Sequence, residues 1–188
     1  MDFNAHSNLA GSHAFLSASN SAWVNYTEDK LERVFLASLA ARKGTELHEL
    51  AHRLIKLGVR LPDTKKTLHM YVNDAIGYRM TPEQILFYSD NCYGTADTIS
   101  FSERNMFLRI HDFKSGSTRT TERQLQIYAA LFCLEYGYKP FDITSELRIY
   151  QSNEVRVYPH DPDAIAHIMS RIVVFDRILD VLKVEAQG

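Results

Sequence analysis

The sequence predicts an α/β protein, an α+β arrangement in which one mixed sheet is flanked by helices. Two observations carry that expectation. Apolar residues recur at helical spacing over 28–57, over 123–136 and again after Asp161 or Asp163, where Ile165, Ile168, Met169, Ile172, Val173, Phe175, Ile178, Leu179 and Leu182 line one face. Short runs at 85–90, 93–101, 106–114 and within "SELRIYQSNEVRVYPHD" (145–161) read instead as strands, bounded by polar turns. The resulting order, helices then strands then helix then strands then helix, suits a single sheet with helices packed on it.

Composition narrows the class. A chain of 188 residues with 45% hydrophobic and 23% charged residues can bury a core of its own. The net charge of −2 does not advertise a nucleic-acid binder, although a local basic groove can hide in a neutral total. Cys92 and Cys133 are too few for a disulfide framework, a zinc quartet or a four-cysteine cluster, and both are expected to be structural, reduced thiols. The N-terminus lacks a basic segment followed by a long apolar one, and no apolar run approaches the ~20 residues of a membrane helix. A cytoplasmic protein with no membrane partner is the expectation.

Residues 1–20, rich in Ser, Asn, Ala and Gly, are expected to form a flexible arm, and 21–188 a single domain. Over 28–57 two apolar stripes are separated by Gly44-Thr45, which predicts two helices with Thr45 capping the second. Gly58 ends the second of them. A short helix is expected over 66–78, and "MTPEQ" (80–84) is read as punctuation before the strand "ILFYSD". The helix "RQLQIYAALFCLEYG" stops at Gly137, and a second hairpin turns near "QSNE".

The stretch "MFLRIHDFKSG" (106–116) breaks its own pattern. The face that carries Met106, Leu108 and Ile110 also carries Asp112 and Lys114. If the preceding turn centres on Arg104-Asn105, paired residue numbers sum to 209 and Asp97 stands opposite Asp112. Two opposed carboxylates on an apolar face call for a cation between them or for one retained proton. Mg²⁺ suits such oxygen ligands, and the Lys114 ammonium could orient water or offset charge developing at phosphorus. The competing reading is a hairpin surfacing into solvent, with a superficial ion pair.

These residues resemble the PD-(D/E)XK nuclease superfamily, in its RecB-type, phage exonuclease-like branch. "GTAD" (94–97) followed by "DFK" (112–114) is similar to the Asp…Asp-x-Lys signature, and "GTELHE" (44–49) to a glycine-led histidine motif. "QLQIY" (124–128) is similar to the Gln-x-x-x-Tyr helix, and "LSASNSAW" (16–23) to a Leu-Ser-x-Ser opening. The resemblance spans 16 to about 158 and implies a restriction-endonuclease-like core.

By that resemblance Asp97, Asp112, Lys114, Gln124 and Tyr128 are catalytic, and His48, Asp97, Asp112 and the carbonyl of Phe113 hold Mg²⁺ or Mn²⁺. It implies a deoxyribonuclease, an exonuclease more than an endonuclease, serving recombination, replication or repair. The iron–sulfur cluster of some relatives is not expected, because its four cysteines are missing. DNA is the implied partner, with room for a homo-oligomer and for a recombination or replication partner protein. Ser115, Arg119 and Arg123, in the polar stretch before a helix start, are candidate nucleic-acid contacts. Glu49, Arg42, Lys43 and Arg53 are secondary candidates near the histidine motif. The alternative is a catalytically inactive nuclease fold that binds nucleic acid or a protein partner.

Overall fold

The computed structural model describes residues 14–18 and 21–186. Most of the arm expected over 1–20 lies outside the described residues. The chain forms two compact units, Met1–Lys43 and Gly44–Gly188. In the first, the Trp23 indole donates to the Ser17 carbonyl at 2.9 Å beside a 3₁₀ turn, Ser21–Asn25, and Phe15 meets Phe35 edge-on.

Helix α1 runs unbroken over Glu28–Leu57, so the two helices expected on either side of Gly44 are one. A mid-helix glycine costs only about 1 kcal/mol relative to alanine, and here it has a use. A Cβ on Gly44 would lie 2.7 Å from the Ser115 hydroxyl. Gly44 is therefore buried against the segment that follows the Asp-x-Lys strand, and Thr45 lies within the helix rather than capping one. Gly58, at φ +68°, ends α1 as expected.

Helix α2 (Thr67–Gly77) follows, then strands β1 (Thr81–Ser89), β2 (Cys92–Ser102) and β3 (Phe107–Lys114). Strand β1 starts earlier than read from the sequence and takes in the "TPEQ" segment. Helix α3 (Arg123–Tyr136) closes on Gly137 in the left-handed region. Strands β4 (Thr144–Gln151) and β5 (Glu154–Tyr158) form the second hairpin, its tip Ser152-Asn153 with both φ positive. Helix α4 (Pro162–Glu185) is capped by the Asp161 carboxylate, which accepts from the Ala164 N–H at 2.9 Å. No described helix is long and apolar enough to cross a membrane.

Among the described residues the strands form one five-stranded mixed sheet in the order β1-β2-β3-β4-β5. All neighbours are antiparallel except β3 and β4, which run parallel and need the crossover that α3 supplies. Helices α3 and α4 cover one face with Leu125, Ala129, Leu131, Ile165 and Ile168, packed on Leu108, Ile110, Leu147 and Ile149. On the other face Ala51 and Ile55 of α1 and Tyr71, Val72 and Ala75 of α2 pack on Phe113 and Tyr150. An α+β protein with a mixed sheet flanked by helices is thus what the chain forms.

A polar group is buried in the second face. His111 has no solvent exposure; its Nδ1 lies 3.3 Å from the Tyr150 hydroxyl, which donates to Asp74 at 2.6 Å. Its Nε2 has no partner. Burial, with Arg148 and Arg109 nearby, pushes the imidazole down to about 3.

Candidate active site

The β2–β3 register is the one the sequence implied: Ser102 pairs with Phe107, Ile99 with Ile110 and Thr98 with His111. The ladder stops one step short of Asp97 and Asp112. There the Asp97 Oδ2 accepts the Phe113 N–H at 2.8 Å, so a side chain takes the place of the next backbone acceptor. Strand alternation also breaks here. Ala96, Ile99 and Phe101 all belong to the α3 side, and a period of two cannot put 96 and 99 on one face. The irregularity at Asp97-Thr98 aims the carboxylate along the sheet toward β3.

Asp112 is 2% exposed. Its Oδ1 is 3.0 Å from the Lys114 ammonium, and its Oδ2, also buried, has no hydrogen-bond partner. Burial first, and the Asp97 charge second, push this carboxyl up to about 6, against the opposing pull of Lys114. Burial also raises Asp97, partly offset by the Phe113 N–H and by Lys114. His48 of α1 places Nδ1 3.7 Å from Asp97 Oδ2, and its ring meets that of Phe113 edge-on at 5.0 Å. Burial lowers His48 below its ordinary 6.5, so it is a neutral imidazole at neutral pH, the form that can ligate.

Gln124 and Tyr128 complete the cluster. Lys114 Nζ donates to Gln124 Oε1 at 2.9 Å, and Gln124 Nε2 donates to the Tyr128 hydroxyl at 3.0 Å. The i, i+4 pair on α3 therefore clamps the amine from the side away from Asp112. Gly94 makes room for this, since a Cβ there would stand 3.0 Å from Tyr128 Cε1. Gly94→Ala is accordingly expected to displace the Tyr128 ring and weaken the Gln124–Lys114 contact. In ¹⁵N spectra the Gln124 side-chain amide should move, while the unfolding midpoint changes by less than ~1 kcal/mol equivalent.

Two participants went unread in the sequence. Glu83 holds φ +49° between the ladder pairs Pro82–Thr98 and Gln84–Ala96, which leaves it across from Asp97. Its carboxylate pairs with His52, one turn beyond His48. His48, Ala51, His52, Tyr71, Glu83 and Asp97 line a cleft of about 10 Å³, room for one water-sized body. The His-x₃-His spacing was a usable signal; Glu83 gave none, because a left-handed kink in a strand is not written in residue types.

The nucleic-acid candidates do not share one place. Ser115 lies against Gly44, Arg119 lines a cleft with Arg156, and Arg123 lines an apolar cleft beside α4. Glu49 is exposed, as are Arg42, Lys43 and Arg53. Cys92 and Cys133 are free, and burial pushes the Cys133 thiol up to about 11, which leaves it unreactive.

No protein-family model matches the chain, and no curated protein matches it in sequence. Among the described residues no three His, Cys, Asp or Glu side chains are grouped so that they alone could hold a metal ion.

Proposed function

We propose that the chain is a metal-dependent DNA nuclease on a restriction-endonuclease-like PD-(D/E)XK core. The observation that carries this is Asp112: a buried carboxylate with one oxygen held by Lys114, the other unpartnered, and a second, half-buried carboxylate beside it. Structural ion pairs are normally satisfied on all their atoms.

The residues fit a hard divalent cation. Mg²⁺ is commonly bound through one or two carboxylates, keeping waters and taking substrate oxygens for the rest. A protein-only cage of three side chains is therefore not required. Asp97 and Asp112, with His48 and the Phe113 carbonyl, would hold Mg²⁺ or Mn²⁺, and a bound ion would balance the two carboxylates and supply Lewis-acid polarisation of a phosphoryl oxygen.

Lys114 is fixed from both sides, by Asp112 and by Gln124, so its remaining N–H can hold a water or a phosphate oxygen without reorganising. In the hydrolysis a water oxygen bonds to phosphorus as the in-line P–O ester bond breaks, and the proton the water gives up ends on the departing oxygen. The products are a phosphate end and a hydroxyl end. Exonuclease action follows from the family resemblance.

Purified chain with Mn²⁺ or Mg²⁺ is expected to degrade labelled linear DNA, EDTA to stop it, and covalently closed circles to resist. Cleavage unchanged in Lys114→Ala would remove the site assignment. A second reading, a non-catalytic nucleic-acid- or partner-binding protein on the same fold, is favoured by the absence of a three-ligand group among the described residues. Calorimetry with Mn²⁺ separates the two, since the nuclease should bind the ion and lose it in Asp112→Asn.

A further inference from the structure

The segment joining β3 to α3 is held by side chains from the second hairpin. Gln151 pairs with Lys114 across the β3–β4 ladder and is 5% exposed. Its Nε2 donates to the carbonyls of Gly116 at 2.7 Å and Thr118 at 2.8 Å. Arg156 on β5 donates to the Thr120 carbonyl at 2.9 Å and to Gln151 Oε1 at 2.7 Å. Three loop carbonyls are thus occupied from beneath.

Beside them opens a cleft of about 270 Å³ lined by Ser117, Arg119, Gln151, Ser152, Glu154 and Arg156. A guanidinium has five N–H donors, and the two Arg156 bonds leave further donors uncommitted. Arg119 is exposed and forms no ion pair or hydrogen bond among the described residues.

We propose that this cleft holds a backbone phosphodiester of the bound strand, a few nucleotides from the scissile one. The proposal rests on the nuclease reading and names a subsite for its substrate. Two planar forks and two hydroxyls suit a tetrahedral oxyanion. Glu154 reduces the formal charge of the cleft to that of a single cation, which matches a diester with its one negative charge. Ser117 is three residues past Lys114, so its Cα lies within ~11 Å of the Lys114 Cα. DNA advances ~3.4 Å per nucleotide along each strand, which sets the spacing at about one to three nucleotides. The hydrogen bonds from Gln151 and Arg156 tie the loop in place.

The test is binding of a fluorescent DNA oligonucleotide by the full chain in EDTA, across a range of salt concentrations. Arg119→Gln should weaken binding ~3–10-fold and flatten the log K against log salt slope by ~0.7–0.9, the loss of one phosphate contact. Arg177→Gln, on the exposed surface of α4, should do neither. A methylphosphonate, which removes one backbone charge, should weaken wild type when placed one to three nucleotides from the cut, and should not weaken Arg119→Gln further.

Arg156→Gln should act like Arg119→Gln. Should it unfold, Arg119→Gln and Ser117→Ala decide, because neither residue ties the loop. If wild type cuts DNA while Arg119→Gln leaves slope and affinity unchanged, this cleft is not a subsite and the nuclease reading survives. If wild type neither binds nor cuts, both fall.

Discussion

Asp112→Asn is expected to lower metal-dependent DNA cleavage by on the order of 10³-fold and, at pH 8, to make the protein more stable. The two effects have one cause. Asp112 is ionised at pH 8 although burial and the neighbouring Asp97 favour its neutral form. A carboxyl moved from 3.8 to about 6 costs ~3 kcal/mol of stability once fully ionised, at about 1.4 kcal/mol per pH unit.

Asparagine keeps the shape and an acceptor for Lys114 while removing the charge, so the thermal midpoint should rise by roughly 5–10 °C. Mg²⁺ should stabilise wild type by mass action and leave the variant unmoved. Scanning calorimetry with and without Mg²⁺ reads all of this. A lower midpoint in Asp112→Asn would show that the carboxylate is held for structure, as an ordinary ion pair.

Acid should expose the second large effect, at His111. Its folded value lies at about 3, below the ordinary 6.5, so above pH 6.5 it is neutral in both states and its contribution is fully present. As pH falls from 6.5 toward 3, the unfolded chain takes up a proton that the native state refuses, and stability drops. The loss levels off near ~5 kcal/mol.

Asp112 acts in the opposite sense: its raised value makes the native state take the proton first, so it adds stability as pH falls from about 6 to 3.8. In wild type the two partly cancel. In an Asp112→Asn background the His111 slope should stand out as up to one proton per chain between pH 6.5 and 3. His111→Leu in that background should flatten it, whatever its stability at pH 7. The groups facing the ring are Arg148, Arg109, the Tyr78 ring and the Tyr150 hydroxyl, and none of them supplies the negative charge that would keep the imidazolium buried. Equal slopes in the two proteins, measured by denaturant unfolding, would mean that His111 is hydrated in solution.

Much of the site was legible because strand pairing is arithmetic. Once the "SERN" turn is centred, residue types on one strand name their partners on the other, and the observed Thr98–His111 pair follows that count. The Lys114–Gln124–Tyr128 line was legible for a similar reason, since four residues on a helix return to the same face. Gly44 misled because a glycine between two apolar stripes is also what a helix break looks like. Only the neighbouring Ser115 explains why the helix runs through.

Residue order alone determined most of the element types, the β2–β3 register and the set of chemical groups at the end of that hairpin, because periodicity and turn position are local properties. The tertiary structure decided which groups lose water and which oxygens go unpaired. It left Asp112 Oδ2 without a donor, turned Asp97 onto the Phe113 amide and brought Glu83 across from it. Those outcomes depend on how α1, α3 and the sheet exclude solvent together, and the energy of a charge is set by that exclusion.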